Sequence, residues 1–124
     1  MTFARLVDDA LACLAAEHPA AHARMRASLG RRHLDARVGD EVIQVAPTEG
    51  SATSRVRVRT NVEALSAVLF GEVDVVDAVR ADRIEVVGSS EDLVALGEAL
   101  TWFVEGAMRC VSIKGLVDRL IALR

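Results

Sequence analysis

The stretch from Thr60 to Gly106 constrains the fold more than any other part of the chain. It strings together a helix pattern, a glycine, a short helix, a short strand and a long helix, with little irregular sequence between them. Thr60-Asn61-Val62-Glu63-Ala64-Leu65 opens the first helix and Val68-Leu69-Phe70-Gly71 closes it. Asp77-Ala78-Val79 marks the short helix, and Ile84-Glu85-Val86-Val87-Gly88-Ser89 the strand and its exit. Thr60-x-x-Glu63 has the form of a capping box, in which the hydroxyl accepts from the Glu63 amide and the carboxylate reaches back. Gly71 is placed to end that helix and Asp74 to cap the next. Asp82 stands where a left-handed residue is expected, a conformation Asp tolerates better than most. Ser89 or Ser90 caps the long helix. The segment holds almost no chemistry and much apolar surface at controlled spacing. Such a chain is better suited to enclosing an apolar molecule than to breaking a bond.

The long helix has two useful faces. Leu93, Leu96, Leu100, Phe103, Val104 and Ala107 form its main apolar stripe, and Glu91, Glu98 and Glu105 a narrow solvated edge. Trp102 falls about 180° from the centre of the stripe at ~100° per residue. Ala95, Ala99 and Gly106 fall beside it. A large ring among small residues is a docking surface, either for a second helix of the same chain or for another subunit in a homodimer. The intramolecular contact is the favoured reading.

Ahead of this stretch, Phe3, Leu6, Val7, Ala10, Leu11 and Leu14 recur at helical spacing. A second helix is expected from Ala20 to Leu29, stopped by Gly30. From His33 the period changes to two, with Leu34, Ala36 and Val38 on one face. Gly39-Asp40 is a turn signal, and Glu41 to Ala46 reads as the returning strand. Pro47 to Thr53 is expected to be a polar loop. Ser54 to Thr60 alternates Val56 and Val58 with Arg55, Arg57 and Arg59, the pattern of an antiparallel strand with one buried face. After the long helix, Ile113, Leu116, Val117, Leu120 and Leu123 line one side of a last helix. That helix reads either as a movable cover or as a fixed part of the core.

Composition narrows the function classes. Hydrophobic residues make up 52% of the 124 but aromatics only 3%, so the apolar content is aliphatic and offers few rings for stacking on bases or sugars. The net charge of −3 argues against a nucleic-acid partner, whose domain is usually strongly basic. Mean hydropathy is high at +0.28, yet no uninterrupted apolar run approaches the ~18 residues of a transmembrane segment. The N-terminus, Met1 to Asp9, turns acidic where a signal peptide needs its apolar core, so the expected compartment is cytoplasmic. Cys13 and Cys110 are expected as free thiols.

Chemistry-bearing motifs are scarce. His18 and His22 have the spacing of a metal pair on a helix, but Pro19 lies between them and no third ligand is evident. His33 is isolated on a polar strand face. Gly88-Ser89-Ser90 lacks the flanking glycine of a nucleophile elbow, and helix capping accounts for the serines. No catalytic residue, metal or cofactor is assigned. The basic ridge of Arg55, Arg57 and Arg59, extended by Arg31, Arg32 or Arg37, suits an anionic head group or membrane surface. Its plainer role is a solvated sheet face, with Glu85 as a cross-strand partner.

These features together resemble the sterol carrier protein type-two domain family. Leu69-Phe70-Gly71, Ala78-Val79, the strand Ile84 to Gly88 and the helix to Gly106 carry the resemblance, and the strands from about Arg32 follow the family's order. It covers roughly residues 30–106 of a single domain spanning 1–124, with helical extensions at both ends. Asp82 and Ser89 replace residues common in the family, Gly and Asp, and keep the local chemistry. The resemblance implies an α/β (α+β) fold: a mainly antiparallel sheet covered by helices, with an apolar tunnel between them. It also implies non-catalytic binding or transfer of a fatty acyl chain, sterol or similar lipid. The cavity-lining candidates are Val56, Val58, Leu65, Leu69, Phe70, Val79, Ile84, Val86, Leu100 and Phe103. Periodicity alone leaves open an interaction module with a filled core, and an enzyme acting on a hydrophobic metabolite.

Overall fold

Alternating valines and arginines draw the sheet, and stripes of period 3.6 set the helices against it. The computed structural model describes residues 2–47 and 50–124. In chain order the elements are α1 (Phe3–Glu17), α2 (Pro19–Leu29), β1 (Arg32–Val38), β2 (Glu41–Val45), β3 (Ser54–Thr60), α3 (Val62–Leu69), α4 (Val75–Arg80), β4 (Glu85–Val87), α5 (Ser90–Ala107) and α6 (Ile113–Leu123). Thr48 and Glu49, in the loop expected over 47–53, lie outside the described residues, as does Met1.

The sheet is mixed, with strand order β2-β1-β3-β4. β1 pairs antiparallel with β2, and β3 antiparallel with β4. β3 is not the wholly antiparallel strand that its alternation suggests, because its longest pairing is parallel to β1, from Arg32↔Ser54 to Val38↔Thr60. Alternation reports which face is buried and is blind to strand direction. Inward on these strands point Leu34, Ala36, Val38, Ile43, Val45, Val56, Val58 and Val86. The opposite face lies open to solvent: Val42, Gln44, Arg37, Arg55, Arg57, Arg59, Glu85 and Val87 are all exposed.

Helix ends follow side-chain chemistry, with one correction. Thr60 does not cap α3. Its extended backbone belongs to β3, its carbonyl accepts from the Gly39 amide at 3.0 Å, and its hydroxyl donates to the Arg83 carbonyl at 3.1 Å. The cap passes to Asn61, whose side-chain oxygen accepts from the Ala64 amide at 2.8 Å. Asp74 caps α4 through the Val76 amide. Gly71 (φ +74°) and Asp82 (φ +58°) both take the left-handed conformation that closes α3 and α4. Ser89 and Asp92 complete a reciprocal capping box at the start of α5.

Carboxylates fasten the helices at their ends. Glu41 accepts from the Ala4 and Phe3 amides, joining β2 to the start of α1. Asp92 meets Arg32 Nε at 2.7 Å, joining α5 to β1. Glu17, at the end of α1, accepts from the Val111 amide at 2.8 Å and the Ser112 hydroxyl at 3.1 Å. Asp9 pairs with Arg119 at 2.7 Å, so α6 lies against α1.

The small-residue face of α5 is covered within the chain. Ala95, Ala99 and Gly106 are buried, and Trp102 packs against the core cluster to which α2 contributes Ala21, Met25 and Leu29. The Arg24 guanidinium lies 4.7 Å from the Trp102 ring centroid. At Gly106 a Cβ would fall 2.7 Å from Ala21 Cβ and overlap Leu14 Cδ1, so the glycine permits the close crossing of α1, α2 and α5. The surface offered to either a second helix or another subunit is therefore occupied by α2, the intramolecular contact. Cys13 and Cys110 are free thiols, and burial pushes the Cys110 pKa up.

Asn61→Ala is expected to cost about 1 kcal/mol of stability through loss of the α3 cap. A urea midpoint equal to wild type would show that the bond to Ala64 adds nothing. A second expectation concerns acid. Arg32, with the Ser89 amide, holds the Asp92 pKa below its ordinary value, and the Ala4 and Phe3 amides do the same for Glu41. Both groups therefore add stability that is complete above the unfolded carboxylate range, about 3.9–4.3, and lost as pH falls through the lower folded values. Urea midpoints across pH should fall in that window, and an Asp92→Asn, Glu41→Gln protein should show a flatter acid limb. Parallel limbs in the two proteins would refute the assignment.

Candidate functional site

Leu34, Ala36, Ile43, Val45 and Val58 point to the helix side of the sheet yet are only half-buried. The reason is an apolar cavity of about 230 Å³ between the sheet and the helices. For scale, an engineered apolar cavity of about 150 Å³ stays dry and binds benzene.

Its floor is the inward sheet face: Leu34, Ala36 and Val38 of β1, Ile43 and Val45 of β2, Val58 and Thr60 of β3. α1 contributes Phe3, Leu6, Val7, Ala10 and Leu11, and α2 contributes Met25 and Leu29. Leu65 and Leu69 of α3, with Phe70 just beyond it, form one wall. Leu96, Leu100, Phe103 and Val104 of α5 form another. Ile113, Leu116, Val117 and Leu120 of α6 cover the space. Among the described residues Thr60 is the one polar member of this lining, and its hydroxyl proton is given to the Arg83 carbonyl. Among the described residues the walls therefore offer dispersion and hydrophobic contact, with no free hydrogen-bond donor to orient a polar head. Phe70 and Met108 are lining residues that also reach solvent, 36% and 68% exposed, and they mark where the cavity opens. The Arg124 guanidinium lies 5.9 Å from the Phe70 ring centroid.

Seven of the ten candidate positions border this space: Val58, Leu65, Leu69, Phe70, Ile84, Leu100 and Phe103. Val56, Val79 and Val86 do not. Val56 is buried opposite Leu34 in the β1–β3 register but off the cavity. Val79 and Val86 pack on the Ala64, Ala78 and Ile84 cluster under the edge of the sheet. A period of two assigns a face, and it does not say how far along the sheet the cavity extends. The contributions of α1 and β2 were absent from the candidates, although their apolar periods were visible. Those periods are equally those of a filled core.

The arginine ridge stands on the other side of the sheet. Arg55, Arg57 and Arg59 alternate with the inward Val56, Val58 and Thr60, so they cannot meet a head group inside the cavity. Arg37, opposite Arg59, extends the ridge, whereas Arg32 pairs with Asp92 and Arg31 donates to the Ser51 carbonyl. Arg55 makes a loose pair with Asp35 at 3.8 Å, and Glu85 lies opposite Arg59. Among the described residues no His, Cys, Asp and Glu cluster could hold a metal ion, and no helix is long and apolar enough to cross a membrane. The Ser89 hydroxyl accepts from the Asp92 amide at 3.1 Å, which is the capping role.

A mixed sheet with helices on one face and an apolar space between them defines a sterol-carrier-protein-like fold. A solved structure described as "UbiJ-SCP2 Ubiquinone synthesis protein" shares it, with a TM-score of 0.51 at 18% identity over 85% of this chain and 96% of that one. At that identity the likeness concerns the fold. No family model matches the sequence, nor does any curated protein.

Proposed function

We propose that this chain binds the apolar tail of a lipid-like molecule in the cavity and does not transform it. The observation that carries the reading is the lining, aliphatic and aromatic on every wall with a single, already bonded hydroxyl. A fatty acyl chain, a sterol or an isoprenoid tail meets that chemistry. The fold neighbour is named for the synthesis of ubiquinone, an isoprenoid-tailed molecule, which supports the same class. The polar head stays at the opening near Phe70 or Met108, because the lining among the described residues offers it no free donor.

Magnitudes favour long tails. Each buried methylene is worth about 0.8 kcal/mol, so some eight of them give roughly 6 kcal/mol. Association alone costs about 4–15 kcal/mol in lost freedom. Short chains should therefore bind weakly, and affinity should rise about fourfold per methylene until the cavity is full. Displacement of a fluorescent fatty acid by unlabelled acids of increasing length measures this. Affinity independent of tail length, or no saturable binding to folded protein, would defeat the reading. Leu69→Trp fills part of the space and should weaken binding and shorten the optimal tail. Overpacking also costs about 1–3 kcal/mol, so its urea midpoint is measured in parallel.

A further inference from the structure

The open face of the sheet carries arginines for which the fold has little use. Arg55, Arg57 and Arg59 of β3 and Arg37 of β1 are all exposed. Among the described residues the guanidinium groups of Arg37, Arg57 and Arg59 make no ion pair and no hydrogen bond, and Arg55 has the loose contact with Asp35 at 3.8 Å. Asp35 and Glu85 are the carboxylates on this face, so it is net positive within a chain of net charge −3. Past one end of the ridge come Asp40 and Arg83, one of each sign. The ridge works against the sheet that bears it. Arg37 and Arg59 are direct partners in the parallel ladder, and like charges opposite one another lower stability. Nor does the ridge guard an edge. Cations blunt edge strands against stray pairing, but β1 and β3 are the inner strands of the order β2-β1-β3-β4.

We propose that this ridge binds an extended acidic segment of a partner protein, with carboxylates at alternate positions lying along β3. Arg57 and Arg59 stand on a stretch paired on both sides, to β1 and to β4, so their place on the face is fixed. Successive arginines of β3 are set about 6.6 Å apart along the strand, two residues at ~3.3 Å each. An extended segment repeats the same step between every second side chain, so its carboxylates meet the guanidinium groups in register. Arginine suits them, because its planar fork can hold both oxygens of a carboxylate. Other polyanions fit less well. A single-stranded nucleic acid draws much of its affinity from bases stacked on aromatic rings, and this face has none among the described residues. A bilayer on this face would lie across the sheet from the cavity and give no passage to it. The site stands apart from the tail-binding reading and does not depend on it.

The test is fluorescence anisotropy at low salt with a labelled octapeptide in which glutamate and threonine alternate. Wild type should bind it saturably, and more weakly as salt rises. The same residues with the glutamates in one block should bind more weakly, because half of the carboxylates then point away from the sheet. Arg57→Gln should weaken binding about two- to fivefold, and Arg37→Gln, Arg57→Gln and Arg59→Gln together about tenfold or more. Arg80→Gln, exposed on α4 and off this face, should bind like wild type. The triple variant should keep or raise the urea midpoint, since it removes like-charge contacts, so its loss of binding is not a loss of folding. No saturable binding by folded wild type, or equal binding by the triple variant, would overturn the proposal. Equal affinity for the block peptide would overturn it too, by removing the register on which it rests. Retention of phosphatidylglycerol vesicles or of an oligothymidylate through these arginines, with none of the peptide, would overturn it and give the ridge to phosphate.

Discussion

The carboxylate of Asp92 joins three elements at one corner of the molecule. It accepts from the Ser89 amide at 2.9 Å and from Arg32 Nε at 2.7 Å, and the same arginine reaches the Leu29 carbonyl at 3.4 Å. The start of α5, the start of β1 and the end of α2 are thereby fixed together. Gly88 leaves room for it, since a Cβ there would lie 2.9 Å from Asp92 Oδ2. With α5 held at this corner and zipped to α2 along its small residues, its other stripe stands over the sheet and does not settle onto it. Hydrophobic attraction is non-directional and by itself favours closing such a space. Glu41, Glu17 and Asp9 fasten α1 and α6 in the same way, so the apolar walls hang from polar joints at the rim.

Much of this architecture was legible in the sequence because it rests on local rules. Gly71 and Asp82 sit at the left-handed positions their chemistry suggests, and Asp74 and Ser89 cap the helices they precede. Where a reading failed, a non-local pairing had overridden a local signal. Thr60 satisfies the capping-box pattern as well as any residue in the chain, yet the ladder with Val38 keeps it in the strand and hands the cap to Asn61. β3 alternates like an antiparallel strand, yet its partner across Leu34↔Val56 runs parallel. Nothing in seven residues records the direction of a neighbour some twenty positions away. The cavity was least legible of all. Phe3, Leu6, Ile43 and Leu116 have the spacing of core residues, and only the distances between elements decide whether such residues meet one another or face a gap.

The composition bears on what the cavity can distinguish. Few aromatic rings and one bonded hydroxyl leave walls without direction, so any selection among apolar ligands would fall to length, girth and bending. Polar discrimination is confined to the opening, where Phe70 lies under the Arg124 guanidinium and Met108 meets solvent.

The unfilled volume also has a thermodynamic consequence for the protein itself. At roughly 24 cal/mol per Å³ of empty apolar space, a cavity of about 230 Å³ forgoes on the order of 5 kcal/mol that a packed core would supply. Domains of this size are stable by only about 5–15 kcal/mol in total. Whatever fills the space therefore acts as a missing portion of the hydrophobic core. By linkage, a ligand bound there would raise the melting temperature of the domain with its free concentration, tying occupancy to stability.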